Sequence, residues 1–195
     1  MNTIQAIKTF HNGYYFRSRT EARQAVFYDS FDEYYEYEPE GWPCPTRWYL
    51  IDFLIPRLEF YHEVKGTEPT DEEIKLCEEV YHITKKAVVV SWGTPTKAQN
   101  VNGVFKPERL RVYADGRWWN ECFWAMDKQQ KLCICNNSSV HLESTCPGLK
   151  SLDDITDSVD EWHVYKARSA NFDSKKRQEA LTEVTGIVID RKSVV

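Results

Sequence analysis

One acid in an apolar setting constrains this chain more than any other feature. Asp52 stands inside Tyr49-Leu50-Ile51-Asp52-Phe53-Leu54-Ile55. A carboxylate withdrawn from water is costly unless a cation or hydrogen-bond donors compensate it. The run Arg47–Ile55 (RWYLIDFLI) passes through Pro56 and Arg57 into Leu58–Lys65 (LEFYHEVK), and together they read as two strands of a tight antiparallel hairpin. Strand alternation sends Glu63 and Lys65 to one face, and His62 and Val64 to the other. The hairpin is therefore expected to bring Asp52, Glu63 and Lys65 together, while His62 is packed or exposed rather than a ligand.

The flanking segments extend this frame. Ser18-Arg19-Thr20-Glu21 has the form of a capping box and opens a helix over 18–30. Tyr34–Glu38 (YYEYE) has the period of a strand, and Pro39, Gly41, Pro43 and Pro45 then predict a loop. A second capping box, Thr70-Asp71-Glu72-Glu73, opens a helix that runs to Lys85, and Ala87–Trp92 (AVVVSW) reads as a strand buried on both faces. The order is αβββαβ, so the fold class is α/β with a mixed sheet flanked by helices. This core is expected to occupy residues 1–103. A small Cys/Trp-rich β appendage is expected over 104–150, turning at Asp115-Gly116, followed by a C-terminal helical extension over 151–195.

With 195 residues and 42% hydrophobic content the chain can bury a sizeable core, which excludes a disordered protein. No apolar run reaches the roughly 20 residues needed to cross a bilayer, and the first residues lack the apolar stretch of a secretory signal. A cytoplasmic location without membrane contact is expected, with the six cysteines reduced. The net charge of −5 argues against a surface built wholly for phosphate but is compatible with a local basic groove.

Two carboxylates converging beside an ammonium suit Mg²⁺ or Mn²⁺, hard ions that prefer oxygen ligands and keep several waters. Asp52 and Glu63 would be the ligands, and Lys65 would neutralise charge that develops on a phosphodiester. Bland readings stand beside these. Asp52 can pair with Arg57, Glu63 and Lys65 can form a solvated cross-strand face, and capping alone accounts for Glu21.

The spacing D-x(10)-E-x-K on the third and fourth elements of αβββαβ resembles the PD-(D/E)XK nuclease superfamily. FRSRTEARQAVFYD, EYEPEGW, WYLIDFLIP and EVKG are similar to small phage-encoded proteins of that fold, over Tyr14 to Pro95 and more loosely beyond. Ile51 stands where the motif's name carries a proline, a residue that is not a ligand. The resemblance implies a Mg²⁺-dependent nuclease in which Glu21, from the preceding helix, joins Asp52, Glu63 and Lys65. Arg17, Arg19 and Arg23, crowding the start of that helix, are candidate phosphate contacts. The expected partner is nucleic acid, DNA rather than RNA, in the host cytoplasm if the chain is phage-encoded. A homodimer or a host or phage protein partner is compatible with the same residues. The rival expectation is a non-catalytic protein of nuclease fold that binds nucleic acid or a host defence complex.

Three further features carry alternatives. Cys122, Cys133, Cys135 and Cys146, with His141 as a substitute, offer four ligands to structural zinc, but the spacing departs from paired C-x₂-C knuckles and favours reduced thiols. Trp118, Trp119 and Trp124 suit base stacking or, more often, a core. Lys175, Lys176 and Arg177 form a short basic run, a solvated helix face before a phosphate contact.

Overall fold

The structure, a computed structural model, describes residues 6–101, 104–106, 109–136, 144–170 and 172, and gives the backbone alone at 100, 101 and 104–106. It is an α/β protein, with mixed sheets and three α-helices among the described residues. The chain opens with a hairpin, β1 (Thr9–His11) and β2 (Tyr14–Phe16), turned by Asn12 and Gly13 at φ 46° and 87°. An Asn-Gly pair favours this left-handed two-residue turn, a signal that the reading from the capping boxes passes over. Helix α1 (Arg19–Asp29) follows, with the Ser18 hydroxyl accepting from the Glu21 backbone N–H at 3.2 Å.

Next come β3 (Glu36–Tyr37), β4 (Gly41–Pro43), β5 (Trp48–Leu50), β6 (Phe53–Ile55) and β7 (Phe60–Lys65). Helix α2 (Asp71–Thr84) has its capping box complete, with Thr70 and Glu73 bonding reciprocally, and it crosses over to β8 (Ala87–Trp92). Strands β7 and β8 are parallel, as a helical crossover requires. The apolar run of β8 divides between two layers. Val89 packs in the core that holds Phe27 and Tyr28 of α1, and Val88 and Val90 pack with Leu76, Cys77 and Val80 of α2.

The expected long strand over Arg47–Ile55 is two strands. The first part, β5, pairs with β4 inside the expected Pro-rich loop, whereas β6 pairs with β3 and β7 in the main sheet. The chain breaks at Ile51-Asp52, where the Asp52 carbonyl accepts from the Glu38 N–H at 2.7 Å. A 3₁₀ turn over Pro56–Leu58 then closes the β6–β7 hairpin, with Glu59 at φ 54°.

Residues beyond 103 do not form a separate body. After β9 (Gln99–Val101) and β10 (Val104–Lys106), strands β11 (Leu110–Ala114) and β12 (Arg117–Trp119) extend the main sheet. Its strand order is β12-β11-β8-β7-β6-β3. A second sheet contains β13 (Cys122–Asp127), β14 (Leu132–Asn136), β15 (Leu149–Lys150) and β16 (Ile155–Ser158), in the order β15-β14-β13-β16. Its Trp124 is buried against Phe27, Tyr28 and His62, so the Trp- and Cys-rich strands complete the core instead of hanging from it. Helix α3 (Glu161–Ser169) docks on the end of α1, with the His163 ring stacked on Phe31 at 3.7 Å. The expected helical region past 172, including Lys175, Lys176 and Arg177, lies outside the described residues.

Two features of this packing are testable. Gly148, before β15, abuts the 3₁₀ turn so closely that a Cβ would lie 2.8 Å from the Leu58 carbonyl oxygen. Gly148→Ala should therefore lower unfolding stability by about 1–3 kcal/mol in urea melts. An unchanged midpoint would mean that the second sheet and the core do not share this contact. The opposite face of β7 holds His62, fully buried, between the Tyr28 hydroxyl at 2.5 Å on Nδ1 and the Ser91 hydroxyl at 2.7 Å on Nε2. A neutral ring accepts at one nitrogen and donates from the other, and a hydroxyl can take either role. Burial pushes the imidazole down to about 3. In a long-range ¹⁵N–¹H NMR titration His62 should keep its neutral pattern to about pH 4, and protonation near pH 6 would contradict the assignment.

Candidate functional site

A cleft of about 900 Å³ opens between the start of α1, the β4–β5 hairpin and the end of β7. Its floor is acidic. Asp52, 2% exposed, sits at the break between β5 and β6, where its Oδ2 accepts from the Val64 backbone N–H at 2.8 Å. Its Oδ1 accepts from Arg17 Nη2 at 2.6 Å. Glu63, 3% exposed, comes from β7, and its Oε2 accepts from the Asp52 backbone N–H at 3.3 Å. The two acids are thus tied through the backbone of neighbouring elements, as the hairpin pattern predicts.

Lys65 lies on the same face as Glu63 and bonds its Oε1 at 2.7 Å. A second carboxylate, Glu73 Oε1, lies 3.1 Å from the same ammonium. Glu73 doubles as the capping residue of α2, so its sequence signature is explained by capping and conceals its approach to Lys65. Glu21, also buried, does more than cap. Its Oε2 accepts from the Arg17 N–H at 3.1 Å and the Tyr37 hydroxyl at 2.6 Å, and its Oε1 accepts from Ser18 at 2.7 Å. Arg17 completes the ring with Glu38 Oε1, 2.7 Å from its Nε. Arg57, the bland partner for Asp52, pairs with Glu33 instead.

Around the two acids carboxylates outnumber their paired cations. Glu38, Asp52, Glu63 and Glu73 are four carboxylates paired with two cations, Arg17 and Lys65, and Glu21 is a fifth, held by the Arg17 backbone N–H. Burial, then the charges of Glu63 and Glu21, hold the Asp52 carboxyl well above the usual range despite Arg17 and the Val64 N–H. Burial likewise raises Glu63, against the pull of Lys65. Burial opposes the charge on Lys65, but Glu63 and Glu73 outweigh it and raise the ammonium, so Lys65 is a fixed charge. Asp52 and Glu63 are the hard oxygen donors that could hold a divalent cation. Among the described residues, no group of three or more His, Cys, Asp or Glu stands together at metal-binding geometry.

Of the three arginines expected at phosphate, Arg17 and Arg19 line the cleft and Arg23 does not. Arg47 and Trp48, which the sequence reading passes over, line it as well. Alternation along β5 explains why: Tyr49 is buried, so Trp48 is turned outward, 67% exposed. Of the two readings of the other tryptophans, core is the one that fits: Trp119 and Trp124 are buried, and Trp118 donates its indole N–H to Glu78 at 2.6 Å.

The four candidate zinc thiols do not converge. Cys122, Cys133, Cys135 and Cys146 are buried and face the carbonyls of Trp119, Ala125, Asn136 and Leu58 respectively. Burial pushes the Cys122 and Cys133 thiols up to about 12, away from the thiolate that zinc requires. His141 lies outside the described residues. No family model, no curated protein and no solved structure matches the chain.

The raised Glu63 carboxyl has a definite sign. The folded chain keeps a proton that the unfolded chain releases near pH 4.5, so stability present below that value is lost as pH rises toward the folded value. Glu63→Gln, permanently neutral, should therefore gain on the wild type as pH rises above about 4.5, read as melting temperature at each pH. Parallel curves for the two proteins would show that the charge on Glu63 carries no folding penalty.

Proposed function

We propose that this chain is a divalent-cation-dependent nuclease with a PD-(D/E)XK-type core. The observation that carries the reading is a pair of buried carboxylates, Asp52 at the break before β6 and Glu63 within β7, on the floor of an open cleft, both held above their usual range despite Arg17 and Lys65. The succession α1, β3, β6, β7, α2, β8 supports it, with the β4–β5 hairpin as an insertion. Asp52 and Glu63 fit Mg²⁺ or Mn²⁺, which commonly bind through one or two carboxylates and waters. When bound, such an ion supplies Lewis acidity and an acidified water for attack on phosphorus.

The chain's own residues do the rest. Lys65, held as an ammonium by Glu63 and Glu73, stabilises negative charge growing on the phosphate and does not act as a base. Glu21 orients the Arg17 backbone and the Tyr37 hydroxyl at the rim. Arg17 covers Oδ1 of Asp52, and its half-exposed guanidinium, were it released from that oxygen, would turn to a phosphate together with Arg19. The proposed substrate is DNA before RNA, on the resemblance and not on these groups.

A second reading draws on one specific contact. Because Arg17 already bonds Asp52 and Lys65 already bonds Glu63, the same architecture serves a non-catalytic protein that grips nucleic acid or a host defence complex.

Calorimetric titration with Mg²⁺ and Mn²⁺, combined with cleavage assays on single-stranded, duplex and branched DNA and on RNA, separates the two. Asp52→Asn and Glu63→Gln should each lower metal-dependent cleavage by at least about 100-fold while the variants remain folded. Undiminished cleavage by either variant overturns the site assignment. Metal binding without cleavage of any substrate by the wild type selects the second reading. At about 100 times its dissociation constant, Mg²⁺ should also stabilise the wild type by about 2.7 kcal/mol, and Asp52→Asn should lose most of that gain.

A further inference from the structure

Trp48 is the more exposed of two large apolar side chains, with Ile7, that line the cleft in water and whose exposure the acid cluster does not explain. It is a large apolar side chain left 67% in water on the wall of the same cleft that holds Asp52, Glu63, Arg19 and Arg47. Isolated surface aromatics are ordinary, but this one is seated. Its indole reaches diagonally over the β4–β5 hairpin to the backbone of Gly41, which pairs with Leu50, so closely that a Cβ there would fall 2.4 Å from Nε1 and 2.7 Å from Cε2. Any residue but glycine at that position would push the ring from its seat. Among the described residues no aromatic ring stacks on it.

We infer that Trp48 is a stacking platform for an unpaired nucleobase, and that the cleft takes a single strand or a frayed or flapped end instead of an intact duplex. An indole offers a wide π-face to any base, yet a base inside a duplex has both faces covered by its neighbours and cannot use it. The surroundings suit the phosphates on either side of such a base. Arg47, adjacent in the chain and 53% exposed, has a long 3.7 Å contact to Glu72 and lies 6.0 Å from the Tyr49 ring, and Arg19 also lines the cleft. The inference rests on the nuclease reading for the polymer but not for turnover, since stacking requires neither metal nor cleavage.

Binding is therefore measured in EDTA by fluorescence anisotropy, with a labelled oligothymidylate of about eight nucleotides and a blunt duplex of matched length. Trp48→Ala should weaken single-strand binding by about 5- to 100-fold and leave duplex binding within about twofold. Trp48→Phe should recover most of the loss. Gly41→Ala retains the indole but shifts it, so it should lose single-strand affinity in the same direction with its melting temperature near that of the wild type. Equal loss on both probes would make Trp48 a general wall of the cleft and overturn the inference. Unchanged single-strand affinity in Trp48→Ala, or no affinity of the wild type for the single strand, overturns it too. If Trp48-dependent single-strand binding stands while the wild type cleaves nothing with Mg²⁺ or Mn²⁺, the nuclease reading fails alone.

Discussion

The bond from the Val64 N–H to Oδ2 of Asp52 organises the region around it. A strand crossing this part of the sheet would ordinarily continue its ladder through position 52. Here the side chain occupies the Val64 donor, the Asp52 carbonyl turns to Glu38, and the Asp52 N–H turns to Glu63. These bonds satisfy the backbone at the break, so ending the ladder leaves those groups paired, as buried polar groups require. The break in turn frees β5 to leave the main sheet and pair with β4. The wall of the cleft, with Arg47 and Trp48, exists because Asp52 interrupts the strand.

The same interruption sets up the electrostatic imbalance. Each ion withdrawn from water loses several kcal/mol of hydration, and a pair recovers this only with close geometry and further hydrogen bonds. Asp52 has both, a guanidinium at 2.6 Å and a backbone donor at 2.8 Å, yet its carboxyl still lies well above its usual range. Desolvation and the neighbouring acids therefore outweigh Arg17. A half-exposed guanidinium reaches its partner through a medium of high effective dielectric, which weakens the attraction. The cluster is left able to gain from added positive charge.

Local rules reach a definite distance into this molecule. Both helix starts follow from capping residues, the β6–β7 hairpin from its Pro-Arg turn, and the shared face of Glu63 and Lys65 from alternation, because each depends on neighbours within a few residues. The split of Arg47–Ile55 depends instead on Glu38 and Val64, partners brought in by the fold, and an apolar run carries no sign of where its ladder will stop. The strands after 103 read as an appendage because their hydrophobic face has no partner within the segment. That partner is α1, about a hundred residues earlier in the chain, where Phe27 and Tyr28 meet Trp124. The Asn12-Gly13 turn was open to sequence reasoning, and it delivers Phe16 to the core and Arg17 to the cleft. Trp48 was not open to it, since exposure is decided by which side of a two-stranded hairpin faces the cleft.

The two faces of β7 then divide rigidity from responsiveness. On the core side His62 is neutral, with both ring nitrogens in hydrogen bonds to buried hydroxyls, and nothing in the ordinary pH range changes its charge. One residue along, Glu63 faces the cleft and shares its charge with Lys65, near an arginine that solvent can reach. A full set of buried hydrogen bonds is expensive to disturb, whereas a surplus of carboxylates held by a half-exposed guanidinium can exchange one cation for another at modest cost. Because the inner face does not yield, such an exchange would move side chains at the cleft and leave the strand in place. The position of Glu63 relative to Asp52 would then be set before any cation arrived, which is the preorganisation that the proposed site requires.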